Sequence, residues 1–415
     1  MKYLILHADG MADFPCPELG GKTPLQAAVT PHLDRMALGG EVGLLALPPD
    51  AGHAGSDVTA VAMLGYDPRK FYPGPGPLEA ASLGVTVGEH DVVFRCTMVT
   101  VRGESVGGKK GGYGDVRKLT PQTILEDATA GLIDSEQARE LIDAINEQLG
   151  SESIQFYPGS GHRHLMVWVG GKARAACTDP QRLVGKAIGD GLPSGDGADT
   201  LRKIMDASLL ILRDHPVNDE RQAEGAKPAN CVWLWGQGRA PSWPPLPERH
   251  QLSGAVVSSS DVHRGVGLCA GLDAVEVPLE HDHESGEFGT RAQLALKELA
   301  KKDFVYCHIG FSDDVLHATD PKDKVRAIEE FDAKVVGPFL SALASFPAHR
   351  FLMVCDPGLA REGQAMPPIL YALNDSAAPA KSGGARRFNE QDLTAGDAVP
   401  RDASKLLARL IARGV

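Results

Sequence analysis

Three short apolar runs in this chain each end near an acid. Tyr3-Leu-Ile-Leu6 runs into His7-Ala-Asp9-Gly10, Phe304-Val-Tyr-Cys-His-Ile309 is followed by Asp313, and Phe351-Leu-Met-Val-Cys355 leads at once to Asp356. Uninterrupted runs of this length predict strands buried on both faces of a parallel sheet. Segments between them predict helices, among them Arg291–Ala300, Lys324–Leu343 and one opened by Thr30-Pro31, with proline in its first turn. Acids at the C-terminal ends of neighbouring parallel strands are what an α/β sheet uses to build a site. The predicted fold is therefore α/β, a mostly parallel sheet sandwiched by helices.

The pattern changes between about residues 92 and 184. Strand-like Phe94-Arg-Cys-Thr-Met-Val-Thr-Val101 and His164-Leu-Met-Val-Trp168 flank a helical stretch, Asp134–Leu149. This reads as a smaller α+β domain, 92–184, inserted into a core formed by 1–91 and 185–415. The Gly- and Asp-rich stretch Ala176–Thr200 suits the returning hinge. Gly107–Gly114 is rich in Gly and Lys but lacks the Gly-Lys-Ser/Thr ending and preceding strand of a phosphate loop, so a hairpin tip is expected. Asp375–Arg387 is small and polar, as surface loops are.

Composition narrows the partners. The 415 residues are 43% hydrophobic and carry a net charge of −12. No basic field is available to hold a nucleic acid or an anionic membrane, although a few local cations or bound metals would serve a small anion. Seven widely spaced cysteines without a C-x-x-C fit free thiols in a reducing cytoplasm. The apolar run at the N-terminus is too short for a signal peptide, and no stretch is long enough to span a membrane.

Gly55-Ser56-Asp57 precedes the apolar segment Val58–Leu64, with Gly65 as its stop. Ser56 has two readings: an ordinary N-cap, or a nucleophile at a helix N-terminus, where free N–H groups favour a bound phosphate. Asp313 and His317, four residues apart, share one face if helical. Carboxylate and imidazole together suit a divalent ion, which would activate Ser56 and neutralise phosphate oxygens; a solvated helix start would show the same spacing.

Several segments together resemble the archaeal-type 2,3-bisphosphoglycerate-independent phosphoglycerate mutases, within the alkaline phosphatase superfamily. They include Asp9-Gly-Met-Ala-Asp13, Leu19-Gly-Gly-Lys-Thr-Pro-Leu25, Gly55-Ser-Asp57, Leu64-Gly-Tyr-Asp-Pro68 and Gly76-Pro-Leu-Glu-Ala80. Phe156-Tyr-Pro-Gly159, Arg163-His-Leu165, His215-Pro-Val-Asn218 and Trp233-Leu-Trp-Gly-Gln-Gly238 follow in order. The resemblance implies a phosphatase-like core with a smaller inserted lid or substrate domain. It implies a glycolytic isomerase that moves a phosphoryl group between the 3 and 2 positions of glycerate through a phosphoserine at Ser56. Asp9, Ser56 and Asp356 match the ligands of one metal, and Asp313 and His317 part of another's, with Mn²⁺, Mg²⁺ or Zn²⁺ as the expected ions. Arg163 and His164 would bind substrate, the Arg163 fork clamping phosphate or carboxylate; a surface arginine is the other reading.

The chain departs from that pattern at its metal ligands. Asp356 is followed by Pro357 where the family carries a ligating histidine, and Arg361–Met366 lacks a second. Fewer than two ions is one consequence. Three outcomes stay open: mutase activity with other ligands, a phosphatase acting on another phosphate ester, or a non-catalytic relative that binds a metabolite or partner. His281-Asp-His-Glu284 is a candidate source of replacement ligands, or simply a polar loop.

Overall fold

The three acid-tipped runs lie side by side. Lys2–Ala12 sits between Phe304–Gly310 and His349–Pro357 and is parallel to both. In this computed structural model the described residues are 1–48, 55–104, 111–278, 287–316, 320–357, 365–378, 387–394 and 399–412. The sheet has eight strands, in the order Arg401–Asp402, Glu41–Ala46, Ile369–Asp375, His349–Pro357, Lys2–Ala12, Phe304–Gly310, Gly254–Val257 and Asp273–Val275. Only the two pairings made by Ile369–Asp375 are antiparallel. Asp356 lies within its strand instead of just past it, because the pairing continues to Ala12↔Pro357.

Strand alternation sorts the central residues by face. Leu4, Leu6, Ala8, Val305, Cys307, Ile309, Met353 and Cys355 enter one hydrophobic core with Leu33, Leu299, Phe331 and Phe339 of the covering helices. The alternate positions, including Ile5, His7, Tyr306 and His308, point to the other face, and the register sets His7 opposite His308. The expected Lys324–Leu343 helix is three segments: Pro321–Phe331, a π turn over Asp332–Val336, and Gly337–Leu343. Pro338 has no N–H to bond back one turn, which favours the wider turn before it.

Two compact units divide the chain: Met1–Tyr72 with Ser242–Val415, and Pro73–Pro241. These boundaries replace the expected 91 and 185. The strand Cys231–Gly238 pairs with Val92–Arg102, which carries the second unit forward to 241. Helix Pro75–Ser82 belongs to it too: a Cβ on Gly76 would lie 3.0 Å from the carbonyl oxygens of both Val93 and Gly236. Ala176–Thr200 is thus inside the second unit, where Ala176 bridges Ser194. That unit is a five-stranded sheet with helices Ser135–Leu149 and Ala198–Arg213; Asp134 caps the former by accepting the Glu136 and Gln137 N–H groups. No helix among the described residues is long and apolar enough to cross a membrane.

Candidate functional site

Ser56 is the first residue of helix Ser56–Met63, and Gly55, extended at φ −96° and ψ 163°, is the N-cap. The serine hydroxyl donates to Asp9 Oδ2 at 2.6 Å, and Gly55, the N-cap, has no side chain to cap the helix. Gly65, at φ +77°, closes the segment with its N–H on the Ala62 carbonyl. Helix residues Val58 to Met63 are all buried, which fixes the height of Ser56 at the sheet end. Asp9 is placed from the other side. Gly10 takes φ +92°, the register with His349–Pro357 shifts between Ala8 and Ala12, and the Asp9 carbonyl accepts the Phe311 N–H at 3.0 Å. This bulge presents the Asp9 carboxylate at the strand edge.

Asp356 is buried and held by two donors. His7 Nε2 lies 2.5 Å from its Oδ2, and Thr59 Oγ1 donates to its Oδ1 at 3.1 Å. Burial pushes the Asp356 carboxyl above the usual carboxylate range, and His7 opposes that rise. The His7 Nδ1 is 2.9 Å from the Tyr306 hydroxyl. Ser56, Thr59, Asp356 and Pro357 line a cavity of about 180 Å³ together with Leu45 and Met366.

Two further histidines stand on this face. His308 continues the Phe304–Gly310 strand, and His263 comes from helix Asp261–Cys269; both are buried. His308 Nε2 is 3.7 Å from Asp9 Oδ2. Burial drives both imidazoles well below the ordinary histidine range, His263 further opposed by His308 and His308 by His7. His7, His263 and His308 each offer a ring nitrogen, all within 4.8 Å of one another.

The structure therefore brings together three of the expected residues, Asp9, Ser56 and Asp356. Asp313 opens a short helix, Asp313–Leu316, but its side chain, His317 and the His281–Glu284 cluster lie outside the described residues. The first half of Gly107–Gly114 and most of Arg361–Met366 lie outside them as well. The sequence reading missed His7, Thr59, His263 and His308. A signal existed for two of them: His7 and His308 are polar residues inside apolar strands, and His7 lies two positions before Asp9, hence on its face. The donor set suits a divalent ion, since two carboxylates, a hydroxyl and a bare buried imidazole nitrogen cluster where a cation would offset their negative ends.

Arg163 and His164 belong to the second unit. Arg163 is exposed at the start of strand Arg163–Trp168. His164 is buried and its Nδ1 accepts the Gly159 N–H at 3.1 Å. Burial, and secondarily the Arg139 charge, lowers its pKa to about 3. Because the folded value lies below the ordinary one, the unfolded chain takes up the proton first. The stability due to neutral His164 is complete above about pH 6.5 and is lost as pH falls toward 3, at about 1.4 kcal/mol per pH unit. His164→Asn keeps an acceptor for Gly159. Urea unfolding followed by tryptophan fluorescence should show a pH dependence flatter by that slope between about pH 6 and 4.5; equal slopes would mean that His164 is protonated in the fold.

The chain as a whole is similar to known proteins. The family model described as 2,3-bisphosphoglycerate-independent phosphoglycerate mutase matches residues 37–218. The chain is 38% identical to the probable 2,3-bisphosphoglycerate-independent phosphoglycerate mutase of Geobacter sulfurreducens over 417 aligned positions, covering 100% of both. It is 40% identical to the Methanosarcina barkeri mutase across 82% of this chain and 81% of that one. Among solved structures, a Pyrococcus horikoshii protein superposes with a TM-score of 0.71 at 23% identity, over 100% of this chain and 98% of that one. A cofactor-independent phosphoglycerate mutase from Thermoplasma acidophilum gives 0.58 at 24%, over 99% of each. At these identities the structural likeness speaks for the fold.

Proposed function

Since this chain belongs to the family of 2,3-bisphosphoglycerate-independent phosphoglycerate mutases, we propose that it interconverts 3-phosphoglycerate and 2-phosphoglycerate through a phosphoserine at Ser56. The observation that carries this reading is the 2.6 Å hydrogen bond from the Ser56 hydroxyl to Asp9. It orients the oxygen and supplies an acceptor for its proton, the pairing a serine nucleophile requires. In the first half-reaction the Ser56 Oγ–P bond forms as the P–O3 bond of the substrate breaks. The serine proton passes to Asp9 and from there to the departing 3-oxygen, which leaves as the 3-hydroxyl of glycerate. After the glycerate turns, its 2-hydroxyl attacks the phosphoserine, Ser56 regains a proton, and no water is consumed.

Asp9, Ser56 and Asp356 would hold one divalent ion, and Asp313 and His317 part of the shell of a second; when bound, such ions would neutralise charge at the phosphate oxygens and lower the pKa of the serine hydroxyl. Mn²⁺, Mg²⁺ and Zn²⁺ are the ions we assign. Residues 73–241 are proposed as the inserted substrate domain on an alkaline phosphatase-like core, with Arg163 and His164 as its substrate-binding pair. All seven cysteines are free, which suits the reducing cytoplasm we assign.

The test uses purified protein and 3-phosphoglycerate, followed by ³¹P NMR. The expected result is 2-phosphoglycerate at about 1–1,000 turnovers per second with an added divalent ion and none after chelation. Free phosphate in place of 2-phosphoglycerate would make the protein a phosphatase. No product with Mn²⁺, Co²⁺, Mg²⁺ or Zn²⁺, on folded protein, would end the mutase reading.

A further inference from the structure

Asp57 follows the proposed nucleophile in sequence and carries its charge back over the open end of helix Ser56–Met63. Its Oδ1 accepts the Val58 N–H at 2.9 Å, and a Cβ added to Gly55 would lie 2.5 Å from that oxygen. Glycine at the N-cap leaves the carboxylate this room. The other oxygen, Oδ2, accepts the Tyr72 hydroxyl at 2.5 Å, within the range of charge-assisted O–H···O⁻ bonds. Both side chains are half-buried. Neither takes part in the two half-reactions of Ser56.

Tyr72 is a firmly mounted donor. It ends helix Pro68–Phe71, which Asp67 caps by accepting the Arg69 N–H at 3.1 Å. The Phe71 carbonyl accepts the Trp243 indole N–H at 2.9 Å. The buried Tyr66 ring packs against both, its centroid 5.4 Å from that of Phe71 and 4.8 Å from that of Trp243, and its hydroxyl donates to the Pro244 carbonyl at 2.8 Å. Tyr72 is the last residue of the first unit before the chain leaves it, and Ser242 the first on its return. The chain is thus anchored within the first unit close to both crossings, and the same anchor sets the tyrosine oxygen against Asp57.

The first N–H groups of a helix have no partner within it and favour a bound phosphate. A carboxylate in the first turn stabilises the same helix end, but it draws on those N–H groups and repels an anion. Ser56 therefore takes its phosphoryl group beside a fixed negative charge, and the place of that charge matters. We propose that Tyr72 is a positioning residue for phosphoryl transfer at Ser56, acting through Asp57: it holds the Asp57 carboxylate over Gly55 and keeps it from turning toward the phosphoryl oxygens. This rests on the phosphoserine reading and adds to it the residue that restrains the acid next to the nucleophile. Between turnovers Asp57 supports the short helix through its first turn. With phosphate present, the Tyr72 hydroxyl and the Val58 N–H keep that charge shared and in place. Without the hydroxyl, the carboxylate loses a donor and swings about its side-chain torsions toward Ser56.

The test compares full-length wild type, Tyr72→Phe, Asp57→Asn and the double variant, each with added Mn²⁺ and each confirmed as folded by its thermal melt. Two quantities are read: kcat and KM for 3-phosphoglycerate, and the affinity for inorganic phosphate by calorimetry. Tyr72→Phe should lower kcat by about 10- to 100-fold, the scale of one hydrogen bond to a charged group, and weaken inorganic phosphate by about 10-fold. In the Asp57→Asn background the same substitution should change either quantity by less than about threefold, because an amide carries no charge to restrain. Equal losses in both backgrounds would make Tyr72 a packing residue and overturn the proposal. An unchanged kcat in Tyr72→Phe would overturn it as well, and both results leave the phosphoserine reading standing. If the wild type binds phosphate but forms no 2-phosphoglycerate, the mutase reading fails by itself, and the phosphate affinities still decide whether Tyr72 restrains Asp57. A wild type that neither turns over nor binds phosphate ends both.

Discussion

Ser56→Ala is expected to lower mutase turnover by at least about 10³-fold, because alanine has no oxygen to carry the phosphoryl group between the two half-reactions. Water cannot stand in for it: attack by water gives glycerate and free phosphate, a different product. The fold should tolerate the change. Gly55, not Ser56, is the N-cap of helix Ser56–Met63, and among the described residues the serine hydroxyl makes one hydrogen bond, to Asp9. Losing that bond costs about 1 kcal/mol, so thermal melts of the two proteins should nearly coincide while 2-phosphoglycerate formation disappears. Mutase activity that survives in Ser56→Ala would remove the phosphoserine from the mechanism. A melt lowered together with activity would instead make the residue structural.

Much of this architecture could be read from the sequence, for a specific reason. Tyr3–Leu6, Phe304–Ile309 and Phe351–Cys355 are buried on both faces, so unbroken apolar runs marked them as central parallel strands. The acids at their ends then pointed to Asp9 and Asp356 from the sequence alone. The boundaries of the second unit were not legible, because they depend on the long-range pairing of Cys231–Gly238 with Val92–Arg102, which no local pattern reveals. The site was half legible. Ser56 stood out through its glycine and the apolar helix behind it. His263 did not, since a histidine on a helix carries no mark of which strand residues it will stack against. His7 and His308 were visible as polar interruptions, but only the register that sets them opposite each other gives them meaning.

The largest stability effect should come from His7→Leu. His7 is fully buried, and its Nε2 provides the stronger of two hydrogen bonds to the buried Asp356, at 2.5 Å; Thr59 provides the other at 3.1 Å. Leucine fills much of the ring's volume but leaves the carboxylate with one donor. Breaking a buried pair by removing one partner costs about 3–5 kcal/mol, most of it from the charge left behind. In a unit of this size the melting temperature should fall by roughly 10 °C. The sign of the pH dependence separates this cause from lost packing. Burial already raises the Asp356 pKa, and removing His7 raises it further. The folded variant then binds a proton that the unfolded chain has released, so its deficit should grow as pH rises and shrink as pH falls toward the ordinary carboxylate range. Asp356→Asn removes the charge, and in that background His7→Leu should cost far less, a coupling that a double-mutant cycle measures in chelator-treated protein. Equal costs in both backgrounds would show that His7 acts through packing alone.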